Sequence, residues 1–228
     1  MNPFAAIFQV LFPSTCAACG QALVRGERLL CLDCIASLNE TRDSTVADNA
    51  AERQLGARLP LQAAMSLYHF QKGNTVQKVT HAMKFYGNSD LCLMMGRQMG
   101  LELLRSGRFD NVDILVPVPL HWWRRLHRGY NQSELLCRGI AAVMPREVNI
   151  TAVVRHRYTR QQSRQTGDAR NANVEGAFHV RHPEQLRGRH VLLVDDVLTT
   201  GATLTACADA LLTVPGLRLS AATFSIAH

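Results

Sequence analysis

The stretch HVLLVDDVLTTGATL, residues 190–204, reads as a strand, an anion-binding loop and the start of a helix. Val191 to Val194 is wholly apolar and half β-branched, the pattern of a short strand buried on both faces of a parallel sheet. Asp195 and Asp196 follow at its carboxyl end, where open α/β sheets bind their ligands. Thr199, Thr200, Gly201, Ala202 and Thr203 then form a loop of small residues, with a glycine that lets backbone approach a ligand closely. From Ala202 to Thr213 the residues are good helix formers, with Leu204, Ala208, Leu211 and Leu212 apolar. A helix beginning there turns free backbone N–H groups toward the loop, and such groups favour a phosphate.

Two acids beside a phosphate repel it unless they face another part of the ligand, and ribose hydroxyls suit them. The segment therefore describes a ribose-phosphate site. The lysine of a P-loop and the GxGxxG of a dinucleotide fold are both missing. An apolar strand, two acids, a short spacer and TTGAT resemble the PRPP motif of type I phosphoribosyltransferases. The bland alternative is a chance strand and helix turn with two solvated acids.

The chain of 228 residues suits one α/β domain with a small appendage. With 47% hydrophobic and 19% charged residues it has the composition of a globular protein, and no apolar run reaches the length of a membrane span. Met1 to Leu11 is apolar but lacks a basic n-region and runs into Pro13 and cysteines, which argues against a secretory signal. A cytoplasmic location is expected. The opening segment is read as an amphipathic piece packed on the protein, with membrane association as the alternative.

The net charge of +7 is concentrated in one region. Residues 121–170 hold ten arginines, no lysine and three acids, whereas the remainder has fifteen basic residues against fifteen acids. Arginine's planar fork matches phosphate oxygens and nucleobase faces. The region is either a solvated basic face or the contact surface of a polyanion.

Cys16-Ala-Ala-Cys19 and Cys31-Leu-Asp-Cys34 are two CxxC pairs separated by eleven residues. Two such knuckles supply the four thiolates of a closed, tetrahedral structural zinc site. A CxxC redox role is the competing reading, and disulfides are disfavoured by the cytoplasmic expectation. Cys92, Cys137 and Cys207 lie singly in helical patterns and are expected as buried small hydrophobes.

Polar residues dominate 36–60, which reads as a partly helical linker. The expected division is an N-terminal segment with the zinc ribbon at 1–38, a linker at 39–60 and an α/β domain at 61–228. Ala63 to Phe70 is expected as a strand, and Val76, Val79 and Met83 as one face of a helix ending near Gly87, where Lys84 caps carbonyls or reaches a phosphate. Asp90 to Leu104 is expected as a core helix and Val112 to Val118 as a second strand. Asn131, with Glu134 three residues on, resembles a capping box that starts a helix running to about Val143. Between them a cationic loop carries Trp122, Trp123, Arg124, Arg125, His127, Arg128 and Gly129, a suitable cradle for pyrophosphate. Each tryptophan is either core or a stacking surface, with core packing favoured for one. Thr151 to Arg155 ends a third strand, 155–170 is a long loop without apolar periodicity, Asn173 to Phe178 returns the chain to the sheet, and Leu217 to Ile226 closes it.

Several further marks resemble the ComF family, also called the GntX family, a branch of the type I phosphoribosyltransferases. They are LFP before the double CxxC, MKFYG at 83–87, PVPL at 117–120, RRLHRGYNQSELL at 124–136, Thr159 with Gln162, Arg170 with Asn173, GAF at 176–178 and VDDVLTTGAT. The resemblance implies a parallel sheet flanked by helices behind a small four-cysteine zinc ribbon, and a basic loop that folds over the ligand. It also implies PRPP with magnesium held through pyrophosphate and ribose, and a role in natural competence with single-stranded DNA and a competence or recombination helicase as partners. On this reading Asp195 and Asp196 hold the ribose, Thr199 to Thr203 the 5-phosphate, and Arg124, Arg125, Arg128, Gly129, Asn131, Gln132, Arg160, Arg164 and Arg170 the pyrophosphate or nucleic acid. Three functions stay open: a PRPP- and DNA-binding protein of DNA uptake, an active phosphoribosyltransferase in which the same two acids act at the reacting sugar, and a PRPP-sensing regulatory module.

Overall fold

A computed structural model of the chain describes residues 14–85, 87–155 and 176–227. Its centre is a five-stranded sheet of β1 (Leu61–Phe70), β2 (Ile114–Pro117), β3 (Glu147–Val148), β6 (His190–Leu198) and β7 (Arg218–Ala227), in the order β1-β7-β6-β2-β3. Every pairing in it is parallel. Along β6, Leu192 and Val194 join the core on one face while Val191 and Leu193 join the core on the other. That alternation requires helices on both sides. One face is covered by α3 (Thr75–Phe85), α4 (Ser89–Ser106) and α6 (Gln132–Ala141), and the other by α2 (Ala50–Gly56) and α7 (Ala202–Leu212).

The opening stretch folds much as read, with one difference: β6 runs on through both acids to Leu198, and Asp195 lies in register with Thr223 of β7. Cys92, Cys137 and Cys207 are all buried. Asn131 caps α6 as expected, its Oδ1 accepting from the Ser133 N–H at 3.2 Å. Glu134 does not close the box, because it pairs with Arg138 at 2.9 Å and Arg125 at 3.6 Å.

Three expectations are corrected. The cationic loop is in part a helix, α5 (Trp122–Arg128), whose start is capped by His121 accepting from the Trp123 N–H and whose end is a left-handed Gly129 with φ 79°. Basic residues in the last turn before a glycine are a helix-stop signal, here hidden by the short length of the element. The segments at 153–155 and 178–180 are not strands of the main sheet: β4 (Val153–Arg155) and β5 (Phe178–Val180) pair with each other, antiparallel, in a separate ribbon. Neither tryptophan is core, with Trp122 59% and Trp123 46% exposed.

The polar stretch before β1 is packed down on the sheet. Thr41 donates its N–H to Leu67 at 3.0 Å, and Asn49 donates to the carbonyls of Asp43, Val46 and Ala64 while capping α2. Leu55 and Leu59 are buried in the core below. N-terminal to this strap, the double CxxC module holds α1 (Leu32–Ala36) and joins the opposite core through Cys16, Leu30, Cys31 and Cys34.

α4 and α6 touch backbone to backbone. A Cβ placed on Gly139 would lie 2.7 Å from Gly96 Cα and closer still to the Leu93 carbonyl. Gly139→Val is therefore expected to destabilise the protein by about 3 kcal/mol or more, since neither neighbour is a side chain that can swing away. A thermal or urea melt checks it, and a melt within error of wild type would show that the helices separate freely.

Candidate functional site

At the carboxyl ends of β2 and β6 lies a cleft of about 290 Å³, lined by Lys84, Val118, Pro119, Leu120, Arg128, Asn131, Gln132, Ser133, Arg155, Asp195, Asp196, Val197, Thr199 and Thr203. Each element brings a particular group. β6 delivers the two acids on adjacent residues. Asp195 Oδ1 accepts from the Ser133 hydroxyl at 2.9 Å and from the Asp196 N–H at 2.9 Å. Asn131 Nδ2 donates to the Val118 carbonyl at 3.0 Å, which fixes the start of α6, and with it Ser133, against the exit of β2. Burial first, and then the adjacent Asp196 charge, push the Asp195 carboxyl up to about 7, against the pull of its two hydrogen bonds.

Beyond β6 the loop turns through Thr199 and Thr200 to Gly201, which caps α7 in the left-handed region at φ 77° and provides no side chain to close the helix start. Thr200 Oγ1 accepts weakly from the Ala202 N–H, at 3.4 Å. A Cβ on Gly201 would meet Leu55 Cδ2 at 3.1 Å, so α2 packs directly beneath the loop. Gln54 of the same helix donates to the Thr199 carbonyl. With Thr199 and Thr200 exposed, this is a helix N-terminus open to an anion.

Of the residues singled out in the sequence, Asp195, Asp196, Thr199, Thr203, Arg128, Asn131 and Gln132 line the cleft. Thr200, Gly201 and Ala202 form the loop at its rim, and Gly129 ends α5 beside it. Arg125 is turned to Glu134 and is not a lining residue. Arg124 lies on α5, and Arg160, Arg164 and Arg170 lie outside the described residues. Three lining residues were missed as site residues. Ser133 reaches Asp195, Arg155 stands 5.3 Å over the Phe178 ring at the base of the two-stranded ribbon, and Lys84 pairs with Asp196 at 2.9 Å. Lys84 thus neither caps its helix nor reaches out freely. Arg155, as the first charge of the basic stretch, and Lys84, in MKFYG, carried signals in the sequence, but neither signal named the partner the side chain meets.

α5 borders the cleft at both ends, through Leu120 before it and Arg128 at its close. A run of rings follows the helix from its buried cap outward: His121 to Trp122 at 5.9 Å between centroids, Trp122 to Trp123 at 5.0 Å, and Trp123 to His127 at 5.6 Å. Leu126 beside them is 70% exposed.

In the N-terminal module the sulfur atoms of Cys16, Cys19, Cys31 and Cys34 lie within 4.8 Å of one another, with Cys19 and Cys31 3.7 Å apart. Four sulfurs around a zinc at about 2.3 Å stand roughly 3.8 Å apart, so the quartet fits a metal ion such as zinc. Burial works against ionisation of Cys16, but the N–H groups of Cys31, Cys19 and Ala18 outweigh it and bring the thiol down to about 6. Cys34 is pushed up by burial and by its three cysteine neighbours, as expected where four thiolates crowd together without a cation between them. Among the described residues this is the one group of three or more His, Cys, Asp or Glu residues placed to hold a metal ion. None of the described helices is long and apolar enough to cross a membrane.

Residues 132–225 match the phosphoribosyl transferase domain family. Across 202 residues the chain is 31% identical to the DNA utilization protein YhgH of Escherichia coli strain K12, covering 86% of this chain and 83% of that protein. It is 36% identical over 103 residues to competence protein F of Haemophilus influenzae, 44% of each chain. A fainter likeness, with a TM-score of 0.41 at 13% identity, covers 62% of this chain and 30% of the glutamine PRPP amidotransferase of B. subtilis. The parallel sheet, with an acid pair and a glycine-capped helix at its carboxyl edge, defines a type I phosphoribosyltransferase-like domain. With a four-cysteine module ahead of that domain and relatives named for DNA utilization and competence, the chain belongs to the ComF family.

Proposed function

We propose that the protein binds PRPP in this cleft and handles single-stranded DNA during DNA uptake. The observation that carries the first half is the meeting of three unlike groups on one cleft: the acid pair Asp195 and Asp196, the open N-terminus of α7, and Arg128. An acid pair accepts hydrogen bonds from ribose hydroxyls, the N–H groups and hydroxyls of Thr199 to Thr203 receive the 5-phosphate, and Arg128 faces the pyrophosphate. Magnesium, when bound, would offset the pyrophosphate charge. Lys84 occupies Asp196 Oδ2, and the pyrophosphate and ribose oxygens of the ligand would hold the metal. Titration calorimetry with PRPP, with and without magnesium, tests this reading. Magnesium-dependent binding is expected, and heats no larger than those of dilution would remove it.

The second half is supported by the exposed rings of Trp122 and Trp123 on α5, the helix that borders the same cleft through Arg128. Stacking on an exposed tryptophan contributes roughly 1 to 3 kcal/mol per base without reading sequence. If three to five arginines meet phosphates, the slope of log K against log salt is expected at roughly −2 to −3.5, taking about 0.7 per phosphate. Binding is expected to quench tryptophan fluorescence, and Trp122→Ala with Trp123→Ala to weaken it roughly tenfold or more. Equal affinity of wild type and the double variant would take the rings out of the interface. An active transferase is the alternative, favoured by the placement of Arg128 where a departing pyrophosphate would be neutralised. Release of pyrophosphate from PRPP over a panel of bases decides it.

A further inference from the structure

Lys84 is the one lysine lining the cleft, and its surroundings hold it there by more than its own charge. Its Nζ is 2.9 Å from Asp196 Oδ2, with side chains 22% and 15% exposed. The backbone one residue earlier is clamped, because the Met83 carbonyl accepts from the Tyr130 hydroxyl at 2.7 Å and from Gln132 Nε2 at 3.3 Å. Gln132 in turn accepts from Arg128 at 3.2 Å. The end of α3 is thereby tied to the segment between α5 and α6, and the ammonium is aimed at the acid pair by contacts that do not depend on the pair itself.

The chemistry of the cleft needs such a group. Two adjacent carboxylates at the edge of a phosphate site repel the ligand that the site is built for, unless a cation stands behind them. We propose that Lys84 is a positioning residue, an internal counter-cation that holds the Asp196 carboxylate in place and offsets its charge, so that the acid pair can face a phosphorylated sugar without a protein-bound metal ion. The proposal rests on the reading of the cleft as a PRPP site. Asp195 is already biased toward its neutral form by burial and by Asp196, so with Lys84 in place the pair presents little net charge. The charged and titratable groups facing it are Lys84 from α3, the thiols of Cys92 from α4, Cys137 from α6 and Cys207 from α7, and Arg128 and Arg155 at the cleft walls. Lys84 is the cation among them in contact with the pair.

The test compares wild type with Lys84→Met and Lys84→Arg by two readouts. The first needs no ligand: carbon NMR titration of the aspartate carboxyls, in which Lys84→Met is expected to move the pair to higher pH and Lys84→Arg to leave it near wild type. The second is PRPP affinity by calorimetry over a range of magnesium concentrations. Lys84→Met is expected to bind roughly tenfold to a hundredfold more weakly, with a steeper dependence on magnesium, and Lys84→Arg to recover most of the loss. An unmoved carboxyl titration in Lys84→Met overturns the proposal, as does wild-type affinity with unchanged magnesium dependence. If wild type binds no PRPP while the titration still moves, the PRPP reading falls and the counter-cation assignment stands. Should Lys84→Met fail to fold, Lys84→Gln, neutral but still a hydrogen-bond donor, carries the same measurements.

Discussion

One zinc ion per chain is expected in freshly purified, reduced protein, and stripping it is expected to unfold the module from Ser14 to Ala36. Sulfur separations such as the 3.7 Å between Cys19 and Cys31 are too long for a disulfide and match the edge of a zinc–thiolate tetrahedron. Little else holds this module together. Leu32 and Ile35 of its only helix are exposed, and its buried apolar residues are Leu30 and three of the cysteines themselves. In such a setting the metal's binding free energy, about 10 to 16 kcal/mol for structural zinc, is folding free energy. Cys16→Ser and Cys31→Ser are accordingly expected to lose the metal and to melt the module while the sheet domain survives, because the module adds only Leu30 and three cysteines to the buried core on one face of the five-stranded sheet and nothing to the core on the other. Elemental analysis of the reduced protein and amide NMR before and after a chelator are the measurements. Metal-free protein with an intact N-terminal spectrum would mean that the cysteines serve thiol chemistry instead.

What could be read in advance follows from how local each signal is. The run from Val191 to Ala202 states its own structure: apolar residues for a doubly buried strand, acids at its end, a glycine that alone accepts φ 77°, and helix formers behind it. Cysteine spacing is equally local, and so is the Asn131 cap. Elements held by distant partners left no such trace. β4 and β5 are three residues each and exist as strands because they pair with one another. The polar composition before β1 concealed its anchors, since Leu55, Leu59 and Asn49 are scattered singly among exposed residues. α5 was hidden because seven residues make too little periodicity to register, and core packing, favoured for one of its tryptophans, holds for neither because the helix turns both outward. Lys84 sits more than a hundred residues from Asp196 in the chain, and nothing in MKFYG says which acid it meets.

Asp195→Asn is expected to make the protein more stable at alkaline pH and a poorer binder of PRPP at the same time. An ordinary aspartate titrates near 4, whereas Asp195 in the fold is pushed up to about 7 by burial and by Asp196. Between those values the folded chain holds a proton that the unfolded chain has released. Stability therefore falls as pH rises through the window from about 4 to 7, and above it the full cost of an ionised, buried carboxylate is present. A shift of this size corresponds to about 4 kcal/mol. Asparagine avoids that cost while its Oδ1 can still accept from Ser133 and from the Asp196 N–H, the two donors that Asp195 now serves. The melting temperature of Asp195→Asn should exceed that of wild type most at about pH 8, and the gap should narrow by pH 5 and vanish below about pH 4, where Asp195 is protonated in both the folded and the unfolded chain. Binding moves the other way. A neutral amide is a weaker acceptor for sugar hydroxyls than a carboxylate, and each charged hydrogen bond lost costs about 1.5 to 3 kcal/mol, so Asp195→Asn with Asp196→Asn is expected to lower PRPP affinity at least a hundredfold. The double variant should also forfeit the gain in stability, because Lys84 then loses the carboxylate it is paired with. Melts at the two pH values and calorimetry on both variants make the comparison. Unchanged PRPP affinity in the double variant would take the acids out of the sugar site, and a pH-independent melting difference would mean that Asp195 ionises in the fold as it does in the open chain.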